Sequence, residues 1–341
     1  MFDKRKILYN NFTIEKSNDI TNNEKSKFIV TVDTEADNAW TKPTEIKLDN
    51  IKSIPRFQEQ CERYGVIPTY LITYECATRD EAIKVLKPIL EKDKCEIGHH
   101  LHVWTTPPFQ EDNGQGVDLA WIHAYQSELP DSLFFEKAEV LKQAIEKNYG
   151  VSPKSHRAGR WGIDVRTIKW LINNEFKVDT SFLPLTDFSG MKGKRENGPN
   201  FFFESFEPFI INNNSNILNE IPVSVNNTPT IIIELLRTIA YLNILDTQTT
   251  YKIIRKINKG TKLTPNLETK IELYLNTIKN SIKKRNGIIN FSLHSSEISL
   301  GHSPITKTEN GYKYFTNVVE QSFKLASELN LTFSKLSDIR L

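Results

Sequence analysis

The sequence predicts an α/β protein built on a parallel sheet or barrel. Short apolar runs rich in β-branched residues alternate with helical stretches along the chain. Ionisable residues recur at the ends of those runs, the place where parallel α/β folds build their sites. The 341 residues contain no internal repeat and no dividing linker, which favours one domain with elaborated loops.

The elements follow in order. Residues 1–26 are polar and Asn-rich and read as a lead-in or short cover, leaving 27–341 as the domain. KFIVTVDTE from Lys27 is a buried strand ending in acids. Asp49 to Tyr64 reads as a helix with Gly65 as its C-cap. Val66–Thr73 is the next strand, RDEAIKVLKPILEK a helix weakened at Pro88, and Cys95–Gly98 a third strand. His99 to Pro130 is irregular and too long for a plain connector. Asp131–Asn148 carries apolar residues at spacings of 3 and 4 and stops at Gly150. A strand at Lys154–Arg157, a helix at Asp164–Asn174 and a strand at Phe176–Phe182 come next. Leu183–Asn227 is irregular apart from a strand near Ile217–Val225. A helix at Asn266–Arg285, the strand IINFSLHSS, a helix at Val318–Leu329 and the strand LTFSKL close the chain.

Composition removes several function classes. With 44 basic and 42 acidic residues the net charge is +2, without the concentrated basic surface of a nucleic-acid binder. Three cysteines with no CxxC pair suit a reducing compartment. The first residues lack an apolar signal region, and the longest apolar run, near Ile231–Leu236, is broken by Glu234 and Arg237. A cytoplasmic protein with no stable membrane insertion is expected.

Asp33 and Glu35 end the first strand, and their i, i+2 spacing turns both carboxylates to one face. His100 and His102 share the same spacing and could face one metal ion, with His99 pointing away. Arg157 and Arg160 follow a later strand, Asp179 lies in KVDTSF, and His294 ends IINFSL. Each has a plainer alternative: the acids as helix caps or loop residues, a histidine as a satisfied core group, RAGRWG as a loop with surface arginines. Trp40, Trp104 and Trp161 sit just beyond these segments, as core packing or as aromatic surfaces for sugar rings.

VTVDTEAD, CEIGHHLHVW, HRAGRWG, VDTSF and NFSLHSSE, in that order, resemble the successive motifs of the polysaccharide deacetylase-like (NodB homology) superfamily. The resemblance covers Lys27 to Leu341 and is most similar to a divergent, non-secreted branch associated with surface-polysaccharide biosynthesis. It implies a distorted (β/α) barrel of about seven strands holding a divalent metal, with Zn2+ the first expectation. It implies Asp33 as base, Glu35 and His100 as metal ligands, and His294 as acid. Arg157 would position the base, and Asp179 would support His294. The pattern departs in three places. Thr34 stands where many members have the metal aspartate. Trp104 replaces the second histidine of HxxxH, leaving His102 as substitute and His99 as fallback. Gly159 replaces the proline of RxP. Arg160, Trp104, Trp161 and Glu297 are the expected substrate contacts.

The implied chemistry is hydrolysis of an N-acyl (acetyl or formyl) group from an amino sugar, nucleotide- or lipid-linked, by metal-activated water. Hydrolysis of another carbohydrate amide or ester, and a barrel that only binds glycan or a partner, are the rival readings. The loop His99–Pro130 is expected to fold over the metal face and select the sugar through Trp104 or Trp121, the alternative being a packed surface loop.

Overall fold

The computed structural model describes residues 11–16, 25–37, 45–214, 216–226, 230–257, 260–283 and 287–341. Trp40 lies outside them. Ten strands form one sheet. In chain order they are β1 (Thr13–Lys16), β2 (Lys27–Thr34), β3 (Thr69–Ile72), β4 (Glu96–Leu101), β5 (Ser155–Ala158), β6 (Val178–Asp179), β7 (Phe209–Asn213), β8 (Asn216–Glu220), β9 (Ile288–His294) and β10 (Thr332–Phe333). Seven run parallel side by side in the order β8-β6-β5-β4-β3-β2-β9. This curled sheet, backed by helices, is the distorted barrel the motifs imply. β7 and β1 extend it antiparallel beyond β8, so part of the lead-in is an edge strand.

The gap between β8 and β9 is spanned by single rungs. The Ser224 amide donates to the Asn290 carbonyl at 3.1 Å, Leu263 to Ser224 at 2.8 Å, and Ser292 to Leu263 at 2.8 Å. The interior is polar. Arg157 on β5 reaches Thr31 on β2, and Asn290 on β9 reaches Thr180 just beyond β6, so these side chains meet across the barrel. Val30, Val32, Ile289, Phe291 and Leu293 lie in the main apolar cluster with the helices. Alternation along buried parallel strands sorts the two sets.

The opposite end has an apolar floor. Leu336 and Ile339 pack on Ile29, Val178 and Ile221. The Leu336 amide donates to Thr69 Oγ1 at 3.0 Å and the Ser337 amide to Glu96 Oε2 at 3.1 Å.

Several boundaries differ from expectation. β4 runs on to Leu101, so His99 and His100 lie within the strand rather than after it. Pro88 sits inside the Asp80–Glu91 helix without ending it, and the Glu309–Glu328 helix starts well before Val318. Sequence reading missed the helices Thr230–Tyr241 and Thr247–Lys256 and the β7 strand. The two helices build a small separate cluster, Ile233 and Ile254 packing with Leu185 and Phe202.

Candidate metal and acid–base centre

Register brings the polar side chains together. Asp33 on β2 is level with His294 on β9, and His100 on β4 with Arg157 on β5. Just past the end of β2, Glu35 turns its carboxylate toward β4. Its Oε2 lies 3.7 Å from His100 Nε2 and 3.2 Å from His102 Nε2. Among the described residues, Glu35, His100 and His102 are the group able to converge on one ion, their donor atoms within 4.8 Å of one another and all three buried. Two imidazoles and one carboxylate fit a divalent metal of the zinc type that keeps a position open.

The surroundings orient these donors. His100 Nδ1–H donates to the Arg157 carbonyl at 2.9 Å, which turns Nε2 toward Glu35. His102 stacks on Trp104 with ring centroids 4.4 Å apart. Burial, then the nearby His100, pushes His102 well below the usual imidazole range and keeps it neutral, as a ligand must be. The Glu35 backbone is held from both sides, its amide donating to Ser295 Oγ at 3.2 Å and its carbonyl accepting from Asn50 at 3.0 Å. The Ala36 amide donates to Glu75 Oε1 at 3.2 Å. Ser295, Asn50 and Glu75 were not anticipated. Only Ser295, next to His294, sits inside a motif that could have flagged it.

Beside this group Asp33 and His294 face each other. Burial would raise the Asp33 carboxyl, but the Arg157 guanidinium bonded to it, with His100 and His294, brings it below the usual range. Arg157 is wholly buried and also donates to Thr31 Oγ1 at 2.8 Å and the Thr180 carbonyl at 3.0 Å. His294 Nε2 stands 3.6 Å from Asp33 Oδ2. Burial opposes its charge, but Glu297 and Asp33 outweigh burial and lift it to about 9. At neutral pH the site thus holds an ionised Asp33 facing a protonated His294.

Other expected site residues fall elsewhere. His99 points away, its Nε2–H donating to the Ala138 carbonyl at 3.1 Å. Asp179 does not support His294. It is level with His156, whose Nδ1 lies 2.6 Å from it, and alternation places both on the side of the strands opposite Arg157. The group facing His294 is Glu297, which takes the His294 amide at 2.9 Å and lies 3.4 Å from Nδ1. Glu297 is 2% exposed and faces the histidine.

Arg160 is a clamp between loops, donating to the His123 carbonyl and to Lys192 O at 3.1 Å, with its guanidinium over Tyr125. Trp104 and Trp121 are 2% and 4% exposed and belong to the core, so the loop His99–Pro130 offers neither as an open platform. A buried ion pair tightens that loop: Lys137 reaches the Thr106 and Pro108 carbonyls and Asp118. Trp161 is half-buried with its ring 4.8 Å from the Arg157 guanidinium, and remains beside the site as expected.

No family model matches the chain, and no curated protein does either. Solved structures do. One is a "putative polysaccharide deacetylase" from Mycobacterium smegmatis, 11% identical, with a TM-score of 0.55 over 96% of this chain and 93% of that one. Another is the 4-alpha-glucanotransferase of Thermococcus litoralis, 12% identical with a TM-score of 0.50, where this chain matches only 40% of the other. At such identities the likeness speaks for the fold. The order of the strands, the curled parallel sheet and these neighbours together show that the chain has the polysaccharide deacetylase-like, NodB-homology fold.

Proposed function

We propose that this protein is a metal-dependent hydrolase that removes an N-acyl group from an amino sugar. The observation that carries the reading is the meeting, at one rim of the barrel, of Glu35, His100 and His102 with the Asp33–His294 pair. A divalent ion held by those three, Zn2+ first, would supply Lewis acidity, acidifying water and polarising the acyl carbonyl. Asp33, kept ionised by Arg157, accepts the proton of the attacking water. His294, protonated and held by Glu297, delivers a proton to the departing amine nitrogen as the carbon–nitrogen bond breaks. One proton enters on Asp33 and one leaves from His294, so both end the step neutral, and passage of the proton from Asp33 to His294, 3.6 Å away, restores the starting pair. Trp161 gives a sugar ring an apolar surface next to Arg157.

The substrate we favour is a nucleotide- or lipid-linked amino sugar used in surface-polysaccharide biosynthesis in the cytoplasm. Metal analysis of untagged protein, paired with release of acetate or formate from N-acylated sugars, tests the reading. One zinc-type ion per chain, lost in Glu35→Ala and His102→Ala, is expected. Wild-type protein that takes up no divalent ion would overturn it.

A further inference from the structure

The hairpin of helices Thr230–Tyr241 and Thr247–Lys256 plays no part in the acid–base centre. Ile231, Ile232, Leu235, Tyr241, Leu242 and Ile244 all stand exposed on it, Ile231 at 83% and Ile244 at 67%. With Ile257 they make up seven of the thirteen exposed large apolar side chains among the described residues, within a stretch of 27. Scattered apolar residues on a surface mean little, whereas such a concentration marks a binding face. The helix is also too short and too interrupted to cross a bilayer, and no described helix is long and apolar enough to do so.

Charge indicates what covers this face. From Thr230 to Lys262 the sequence holds six basic residues and two acidic, with Arg237 buried against Glu234 and Lys262 lowered to about 7 by burial. Lys252, Arg255 and Lys256 are exposed on the second helix, Arg255 in a pair with Glu268 at 3.2 Å. The two acids are engaged locally, Glu234 with Arg237 at 2.6 Å and Asp246 as the cap of the second helix. An apolar helix and an apolar turn beside a basic helix are the composition of an element that lies in the headgroup region of an anionic bilayer. The base of the hairpin is pinned to the barrel. The Asn226 amide donates to Thr261 O and the Gly260 amide to Asn226 O, both at 2.8 Å. Asn226 follows the end of β8 by six residues, so the hairpin is anchored to the barrel after that strand.

We infer that the 230–257 hairpin docks this protein on an anionic membrane surface without spanning it. The inference is independent of the chemistry at the metal centre and is read without an activity assay. Full-length protein is sedimented with vesicles of phosphatidylcholine alone and of phosphatidylcholine with phosphatidylglycerol, at low and high salt. Binding is expected on the anionic vesicles, weakening with salt. Lys252→Gln with Lys256→Gln should weaken it about 25-fold, about fivefold per charge at ~1 kcal/mol each. Leu242→Ser with Ile244→Ser, both exposed, should lower it at least tenfold while the thermal melt stays unchanged. Failure of wild-type protein to bind anionic vesicles would overturn the inference, as would binding indifferent to both double variants. Self-association in ultracentrifugation that Leu242→Ser with Ile244→Ser abolishes, without vesicle binding, would assign the face to a second copy instead.

Discussion

Replacing Arg157 by Leu strips Asp33 of its counter-charge in a place water does not reach. Both side chains are at most 3% exposed, so solvent screening offers no discount. Four guanidinium hydrogen bonds go at once, one each to Asp33 and Thr31 and two to Thr180. Removing one partner of a buried pair costs roughly 3–5 kcal/mol, and that is the expected loss. In Arg157→Leu with Asp33→Asn no charge is left stranded, so the double variant should be less destabilised than the sum of its parts by about 2 kcal/mol. Urea unfolding of chelator-treated protein, followed by tryptophan fluorescence, measures both. The sign of the pH dependence follows from the depressed Asp33 carboxyl. Its stabilisation is complete above the unfolded value of ~3.9 and is lost as pH falls through the lower folded value. In Arg157→Leu that loss should begin at higher pH, and Asp33 should also fail as a base at higher pH. A single-variant loss below about 1 kcal/mol, or strict additivity in the cycle, would refute the idea that Arg157 holds Asp33 ionised.

Asp33→Asn should bind metal with unchanged stoichiometry yet lose about 10²–10⁴-fold in hydrolysis, since the ligands survive and proton transfer does not; loss of the ion would make Asp33 a ligand. His294 is raised to about 9, so in metal-free protein its contribution is full below ~6.5 and is lost as pH rises through about 9. Glu297→Gln should flatten that alkaline decline and pull the alkaline limb of activity to lower pH; an unmoved limb would remove Glu297 from its positioning role. At Gly159 an added Cβ would stand 2.3 Å from the Leu101 carbonyl oxygen and 2.7 Å from His102 Cδ2. Gly159→Ala should therefore cost about 1–3 kcal/mol and weaken zinc affinity in a chelator competition, while Gly162→Ala, crowding only Tyr125 and Gly159, should leave affinity in place.

Much of the centre was legible because a strand's period of two is visible in sequence. Asp33 with Glu35 and His100 with His102 are each two apart, and both pairs do share a side, with His99 turned away. Pairing between distant strands is not written so locally. Asp179 belongs to a strand of only two residues, and its side is set by register against His156. Glu297 looked like a substrate contact, but it closes a one-turn helix at Ser295–Ile298 by returning to the His294 amide. Sequence order puts Trp104 and Trp121 after the ligands, on a loop expected to cover the metal face, yet that loop is drawn inward by Lys137, a residue of the next helix. The helix at Thr230–Tyr241 is hard to read in sequence because apolar residues lie on both its sides, Ile233 and Ala240 buried but Ile231, Ile232 and Leu235 exposed, which blurs the helical period.

The floor of the barrel has a consequence for how the chain is born. Leu336 and Ile339, which cover Ile29, Val178 and Ile221, come later in sequence than β2 through β9. A ribosome that has just released His294 has made all seven parallel strands, while Ile29, Val178 and Ile221 still face water. The polar mesh in the interior can form at that stage, but the apolar lower end stays open until about forty more residues follow. Translation that stalls between His294 and Leu336 would therefore leave an almost complete barrel with a sticky underside, a species for chaperones or proteases. A chain extended through Leu341 has no such face there.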